Sequence, residues 1–394
     1  MKPRLLFVSN LFPDAASPYR GLDNATVLHH LASTYDIRVL SPRPWLPLLS
    51  PKFPRAHRPI DTPFQPLYIR TPYLPKIGGL ANHHLMARAL RGPMKALQRT
   101  FPWDHALASW LFPDACALHQ AHTAIAPRTP FTLIAQGSDV HSYLHSPPRR
   151  RAILHTLQAA HATITRSRSL AETLAAAGAD PQKLHPITNG IDTRLFHYAG
   201  RAAARAELNL KIEDTLLLFV GNLLPVKDPL QLVKNFTHLL PRLPHHRLRL
   251  IIIGQGPLQK TLTARIAAAS LQDHIHLTGP LPAEAVARYM RAADLLCMTS
   301  LNEGLPNVVL EAQACGIPIL ATHVGGLAEV IDQPWKGTLT PLHDPTAWVD
   351  AACRLIDSPP EGTPIATLGA TRTWTATAAA YHTVLSTPAT LSPK

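Results

Sequence analysis

Four short apolar segments in the second half of the chain constrain its fold more than any other feature. They lie at 215–220, 248–253, 275–278 and 295–298, and each runs straight into turn chemistry. The turns are Gly221-Asn222, Gly254-Gln255-Gly256-Pro257-Leu258, Gly279-Pro280-Leu281 and the stretch from Ser300 to Asn307. Helix-period segments, 229–240, 258–270 and 284–291, separate them. Apolar runs without polar alternation read as strands buried on both faces. Strands alternating with helices predict a parallel, doubly wound sheet. In such a sheet all four turns fall on one edge, outside the carboxyl ends of the strands, where ligands bind.

The last of these turns carries the most chemistry. It reads Ser300-Leu-Asn-Glu303-Gly304-Leu305-Pro306-Asn307-Val308-Val309-Leu310-Glu311, with two glutamates eight positions apart. Gly-Leu-Pro-Asn signals a turn, and the apolar run after it predicts a helix through Glu311 to about Ala314, stopped by Gly316 and Pro318. The first N–H groups of a helix have no internal partner, so Gly304, Leu305, Asn307 and Val308 would offer an anion site. Glu303 before the helix and Glu311 two turns into it would hold hydroxyls on either side of a bound phosphate. A diphosphate flanked by two sugars fits that layout.

The first half repeats the pattern. Residues 4–8 read as a buried strand, followed by a loop holding Gly21, a helix over 24–33 and a strand over 37–40. Further strands are predicted at 104–107, 131–135, 162–165 and 183–187. Gln136-Gly137-Ser138-Asp139 closes the 131–135 strand, and Asp139 there suits either a helix N-cap or a group lining the cleft. The proline-rich stretch 42–75 reads as an irregular connection. A helix over 83–99 carries Arg88, Arg91, Lys95 and Arg99, read as a plain surface helix with a membrane-surface alternative. Helices at 345–356 and 371–385 end the pattern, and the last nine residues read as frayed.

Composition excludes several classes. With 46% hydrophobic and 16% charged residues the chain is globular. Four scattered cysteines without C-x-x-C spacing argue against a zinc site or a disulfide framework and fit a reducing compartment. The apolar N-terminal run stops at Ser9, short of a signal peptide, and no run approaches a bilayer span. The expected location is therefore cytoplasmic, with peripheral attachment to the cytoplasmic membrane face as an extension. Charge is uneven: residues 1–195 hold 22 Lys and Arg against 10 Asp and Glu, whereas 196–394 hold 16 against 15. That basic surplus suits an anionic acceptor or membrane surface. No recognised nucleic-acid module accompanies it, so nucleic acid is not expected as a partner.

Glu303-Gly304-Leu305-Pro306 through Glu311 resembles the E-G-x-P-x-x-x-x-E donor signature of retaining GT-B glycosyltransferases of family 4, the glycosyl transferases group 1. Asn189-Gly190-Ile191-Asp192 is similar to the family's interdomain P-N-G-V-D segment, with Thr188 at the proline position. The resemblance implies an α/β GT-B fold, with two Rossmann-like parallel-sheet domains facing across a cleft. The acceptor domain would span 1–190 and the nucleotide-sugar domain 191–370, with a helix over 371–385 crossing back to the first. It implies Glu303, Lys227 and Asp139 as catalytic groups. Gly21, Asn222, Lys227, Gly256, Pro257, Leu258, Leu281, Glu303, Gly304, Leu305, Asn307, Val308 and Glu311 would hold the donor. Asn222 stands where the family often has an arginine, and Gln136 where a basic residue is common. The implied reaction is metal-independent transfer from a UDP- or GDP-sugar to a saccharide or lipid-linked acceptor, with retention, in surface polysaccharide or glycolipid synthesis. No cofactor beyond the nucleotide-sugar substrate is implied. A GT-B nucleotide-sugar epimerase and a non-catalytic nucleotide-sugar-binding homologue are the alternatives.

Overall fold

The computed structural model describes residues 1–45, 62–74 and 79–388. It divides into two compact units: 1–189 with 374–394, and 190–373.

In the first unit seven parallel strands form one sheet: β1 (Arg4–Val8), β2 (Asp36–Trp45), β3 (Leu67–Pro72), β4 (His105–Ser109), β5 (Phe131–Ala135), β6 (Ala162–Thr165) and β7 (Leu184–Pro186). Their order is β3-β2-β1-β4-β5-β6-β7, so the winding reverses between β1 and β4. The helices are α1 (Leu22–Leu31), α2 (Asn82–Thr100), α3 (Cys116–Ile125), α4 (Ser138–His141), α5 (Pro147–Ala159) and α6 (Arg168–Ala176). The second unit holds α7 (Arg201–Glu207), β8 (Asp214–Val220), α8 (Pro229–Leu239), β9 (Arg247–Ile253), α9 (Gln259–Ala268) and β10 (Ile275–Gly279). After these come α10 (Ala283–Ala292), β11 (Leu295–Met298), α11 (Asn307–Ala314), β12 (Ile319–Thr322), β13 (Gly337–Thr340), α12 (Pro345–Asp357) and α13 (Gly362–Ala370). Its six strands are ordered β10-β9-β8-β11-β12-β13. Leu217 and Leu218 of β8 lie beside Leu295 and Leu296 of β11, which sets the loops after β8 and β11 side by side at the switch point. Among the described residues no helix is long and apolar enough to cross a membrane.

The proline-rich stretch departs from expectation. β2 continues through Pro42 and Pro44 to Trp45, and β3 pairs with it from Leu40↔Leu67 to Trp45↔Pro72. Residues 46–61 of that stretch lie outside the described residues, as do 389–394 of the tail expected to fray. Prolines survive here because β1 ends at Val8, opposite Leu40. Leu40 faces β1, since its carbonyl accepts from Ser9, and Pro42 and Pro44 share its parity. Beyond the end of β1 that side needs no donor. The last helix, α14 (Trp374–Ser386), begins three residues later than expected. Its Ala378, Tyr381, Val384 and Leu385 pack with Phe7, Val27 and Leu28 in the first unit's core. The Arg166 guanidinium donates to the Tyr381 hydroxyl at 2.6 Å. Helices α5, α7 and α13 were not foreseen, because none shows a clean apolar stripe.

A belt of histidines sits at the amino edge of the first sheet. The His119 ring stacks on Phe131 at 5.4 Å and lies 5.1 Å from His155, and His105 lies 5.8 Å from His161. Burial first, then the neighbouring His161 and His122, lowers the His105 pKa to about 3. Its Nε2 shares a 2.9 Å hydrogen bond with the Thr132 hydroxyl. Unfolded, His105 takes a proton near its ordinary 6.5; folded, it resists until about 3. Its contribution to stability is therefore present above pH 6.5 and lost as pH falls towards 3. Each pH unit in that window costs about 1.4 kcal/mol. In urea unfolding at pH 6.5 and pH 4.5, His105→Asn should lose about 2–3 kcal/mol less than the unsubstituted protein. Equal losses would show that His105 does not resist protonation.

Candidate functional site

The second unit's switch point is built by backbone before side chains. After β8 the chain crosses beneath the loop that follows β9: Leu223 N–H donates to Gln255 C=O at 2.9 Å, and Leu258 N–H donates to Leu223 C=O at 3.1 Å. Only glycine fits at the crossing. A Cβ on Gly254 (φ +145°) would lie 1.9 Å from the Gly221 carbonyl oxygen, and one on Gly256 would lie 2.5 Å from that of Leu223. Pro257 and Leu258 lead from this crossing into α9. Leu281, after β10, packs half-buried against the core cluster that contains Leu305 and Val309.

Residues 225–227 form one turn of 3₁₀ helix that presents Lys227, and Asp228 then caps α8 by accepting from Gln231 N–H. The loop after β11 is stitched to this turn. Leu301 N–H donates to Val226 C=O, and the Thr299 hydroxyl donates to the Asp228 carbonyl, both at 2.8 Å. That stitching brings together the two residues predicted to act on donor. Lys227 Nζ donates to Glu303 Oε1 at 2.5 Å, and the Ser300 hydroxyl donates to the same oxygen at 2.7 Å. Glu303 is buried at 8% exposure, while a quarter of the Lys227 side chain remains accessible. Asn222 is exposed at the start of the same loop.

Helix α11 opens at Asn307 behind an extended Pro306, and no side chain caps it. Among the described residues the Gly304 and Leu305 N–H groups have no hydrogen-bond partner. Val308 and Glu311, three apart, share one half-buried face. Burial pushes the Glu311 carboxyl up to about 7, and among the described residues nothing hydrogen-bonds or ion-pairs with it.

Three further residues at this edge, Gly325, Gly326 and Ser300, escaped sequence reading. Gly325 (φ +55°) would place a Cβ 1.8 Å from the Glu303 carbonyl oxygen, and Gly326 N–H donates to Gly304 C=O at 2.7 Å. The Gly-Gly pair, two residues past the end of β12, was the signal. Ser300, which shares Glu303 with Lys227, had none.

In the first unit Gly21 (φ +61°) opens α1, where a Cβ would lie 2.2 Å from the Leu11 carbonyl oxygen. Asp139 belongs to a different kind of structure from the one implied for a catalytic group. It is fully buried, and its oxygens accept the N–H groups of Leu111 (2.8 Å), Gln136 (3.0 Å) and Gly137 (2.8 Å). Burial raises its pKa against those three bonds. It holds the 136–139 turn and offers no accessible oxygen. Gln136 Nε2 donates to Asn24 Oδ1 at 3.0 Å and Ser109 Oγ at 2.7 Å. Its own carbonyl accepts from Arg166 Nε at 3.2 Å. Arg166, one strand over, is 2% exposed and ion-paired with Asp23.

Residues 200–365 match the model for glycosyl transferases group 1. Among curated proteins, the chain is 34% identical over 204 residues to D-inositol 3-phosphate glycosyltransferase of Thermobispora bispora, covering 50% of this chain and 47% of that one. The Nocardia farcinica enzyme of the same name is 31% identical over 263 residues, 64% of this chain and 57% of its own. The chain thus spans about half the length of the curated relatives it matches. Among solved structures, Anabaena HepE in complex with UDP superposes with a TM-score of 0.74 at 18% identity, over 98% of this chain and all of that one. Sucrose-phosphate synthase of Thermosynechococcus elongatus gives 0.78 at 18%, over 98% of each. The chain therefore has the GT-B fold, and its residues 200–365 are similar to the glycosyl transferases group 1 domain.

Proposed function

We propose that this protein is a nucleotide-sugar-dependent glycosyltransferase that binds its donor at the second unit's switch point. One observation carries the reading. The Lys227–Glu303 pair and the free N–H groups of Gly304 and Leu305 sit on adjoining loops of one sheet edge, and the unpartnered Glu311 carboxyl on the helix that follows. Lys227, the N–H groups and the α11 dipole would stabilise charge gathering on the departing diphosphate, so transfer would need no metal ion. Glu311 would take ribose hydroxyls and Leu281 the base face. Glu303, freed from Lys227 when phosphate arrives, would take sugar hydroxyls while Ser300 keeps it in place. Asn307 and Val308 would complete the phosphate contacts. The reading extends to family 4 and to retention of configuration, and it assigns the first unit to a saccharide or lipid-linked acceptor.

UDP is the favoured nucleotide, because the HepE structures contain UDP and UDP-glucose. The acceptor has two supported forms. The curated relatives are named for inositol 3-phosphate, and the basic first half suits such a phosphorylated polyol as well as a lipid-linked precursor of surface polysaccharide.

A thermal-shift panel of UDP-glucose, GDP-mannose and ADP-glucose tests the donor site. A ligand at about a hundred times its Kd stabilises by about 2.7 kcal/mol, a rise of several degrees for a domain of this size. Such a rise with one nucleotide class, lost in Glu311→Ala, is expected. No rise with any nucleotide would remove the reading. Interconversion of nucleotide sugars without acceptor would identify an epimerase, and binding without turnover a non-catalytic homologue.

A further inference from the structure

A second groove in the second unit lies at the amino ends of the strands, away from the donor loops at their carboxyl ends. It runs between the start of edge strand β13 and the last turns of α12. Its volume is about 640 Å³, within the ~300–1,000 Å³ of small-ligand sites. Trp335 lines it from the 3₁₀ turn 334–336 that feeds β13. The Lys336 ammonium lies 5.1 Å from the centre of the indole. Lys336 is itself 7% exposed and paired with Asp332. The half-buried indole is thereby held in place at the groove wall.

Four charged side chains share the lining, and their signs cancel: Arg242, Arg354, Asp350 and Asp357. Arg242 donates to Asp350 at 3.0 Å, with both side chains half-exposed. Asp357 lies 3.3 Å from His246 Nε2, and His246 Nδ1 shares a 3.1 Å hydrogen bond with the Thr215 hydroxyl. Arg354 is exposed and forms no ion pair among the described residues. Thr338, on β13, adds an uncharged polar group to the lining.

We propose that this groove is a second ligand site, which takes a neutral saccharide. Charge decides against the other small ligands. A phosphate or sulfate would face Asp350 and Asp357, and an amine would face Arg242 and Arg354. A wholly apolar ligand would strip water from all four without replacing its hydrogen bonds. A hydroxyl both donates and accepts, so a ligand rich in hydroxyls needs guanidinium and carboxylate side by side. That is what the groove supplies. A pyranose ring also has a C–H face, and the flat indole of Trp335 offers it an apolar platform with a polar rim beside it. The inference rests on the groove's own residues and stands whether or not a nucleotide binds at the carboxyl ends of the strands.

Cys353 makes the groove addressable in the full chain. It lines the groove and is half-buried, whereas Cys116, Cys297 and Cys315 are at most 4% exposed. Burial raises its pKa, so its alkylation by N-ethylmaleimide is followed at about pH 8.5. Maltoheptaose, cellohexaose and mannohexaose are the neutral probes, and a hyaluronan octasaccharide is the acidic one. A neutral oligosaccharide at ten times its Kd is expected to slow the alkylation about tenfold, because only about a tenth of the grooves are then empty. Saturating UDP should leave that protection unchanged. Trp335→Ala should weaken the sugar about thirtyfold, and Trp335→Phe, which keeps a ring, only severalfold. Arg354→Ala removes an exposed side chain without an ion pair, so it should fold normally and weaken the sugar about tenfold. Melting temperatures report folding, and Arg354→Ala carries the test if Trp335→Ala does not fold. Protection by none of the neutral oligosaccharides would overturn the proposal. So would stronger protection by hyaluronan, or protection undiminished in Arg354→Ala and in the folded Trp335 variants.

Discussion

Replacing Lys227 with alanine is expected to lower sugar transfer by about 100- to 1,000-fold in kcat, the loss typical of removing one preorganised group that stabilises a developing anion. The dependence should sit at the upper end of that range because the neighbouring position is Asn222. An amide there supplies a dipole where a second cation would share the diphosphate charge. The substitution has a structural side that must be separated from the chemical one. Glu303 is 8% exposed, and its Oε1 receives both Lys227 and Ser300. Without the lysine a nearly buried carboxylate keeps one hydroxyl, at a cost of about 1–3 kcal/mol. The double variant Lys227→Ala/Glu303→Gln removes the stranded charge. It should recover most of the lost melting temperature and none of the transfer. Recovery of both would mean that the lysine serves the fold alone. Glu303→Gln by itself frees Lys227 from its carboxylate, so it should bind the bare nucleoside diphosphate more tightly than the unsubstituted protein. The preference for the sugar-bearing nucleotide should shrink at the same time.

β8, β9, β11 and β12 of the second sheet were legible because each holds an apolar run, and such runs are buried on both faces. β11 occupies the span its sequence predicts, 295–298. The neighbouring of the loops after β8 and β11 was less direct. It follows from the strand order, which spacing along the chain does not determine. β3 was hidden by the prolines around it, which a strand tolerates only beside an absent neighbour. Asp139 shows a different limit. The same residue in the same turn can face a ligand or hold the turn's own N–H groups, and only the positions of Leu111, Gln136 and Gly137 decide. Arg166 was invisible for a related reason. Its contact with Gln136 joins residues thirty apart across two strands.

Gly325→Ala should be the most damaging single-methyl change in the second unit. Two costs combine. At φ +55° an L side chain occupies the left-handed region, which costs about 1–2 kcal/mol. The added carbon would also lie 1.8 Å from the Glu303 carbonyl oxygen and 3.2 Å from that of Gly304. Neither atom belongs to a flexible side chain, so the loop carrying Glu303 must retreat by about an ångström. That loop is pinned on its other side by Leu301 N–H to Val226 and by the ion pair to Lys227. Movement therefore breaks the Lys227–Glu303 geometry directly. A misplacement of that size costs about 100-fold in rate, on top of a stability loss of about 2–4 kcal/mol. Gly279→Ala separates the two costs. Gly279 also has positive φ, +75°, yet a Cβ there meets nothing within 4 Å. It should lose the conformational part of the stability and keep transfer within severalfold. If the two alanine variants lost rate equally, the close packing of Gly325 against Glu303 would not be what positions that carboxylate. If only Gly325→Ala lost rate, the loop after β12 would join the donor site as the wall that fixes where Glu303 stands.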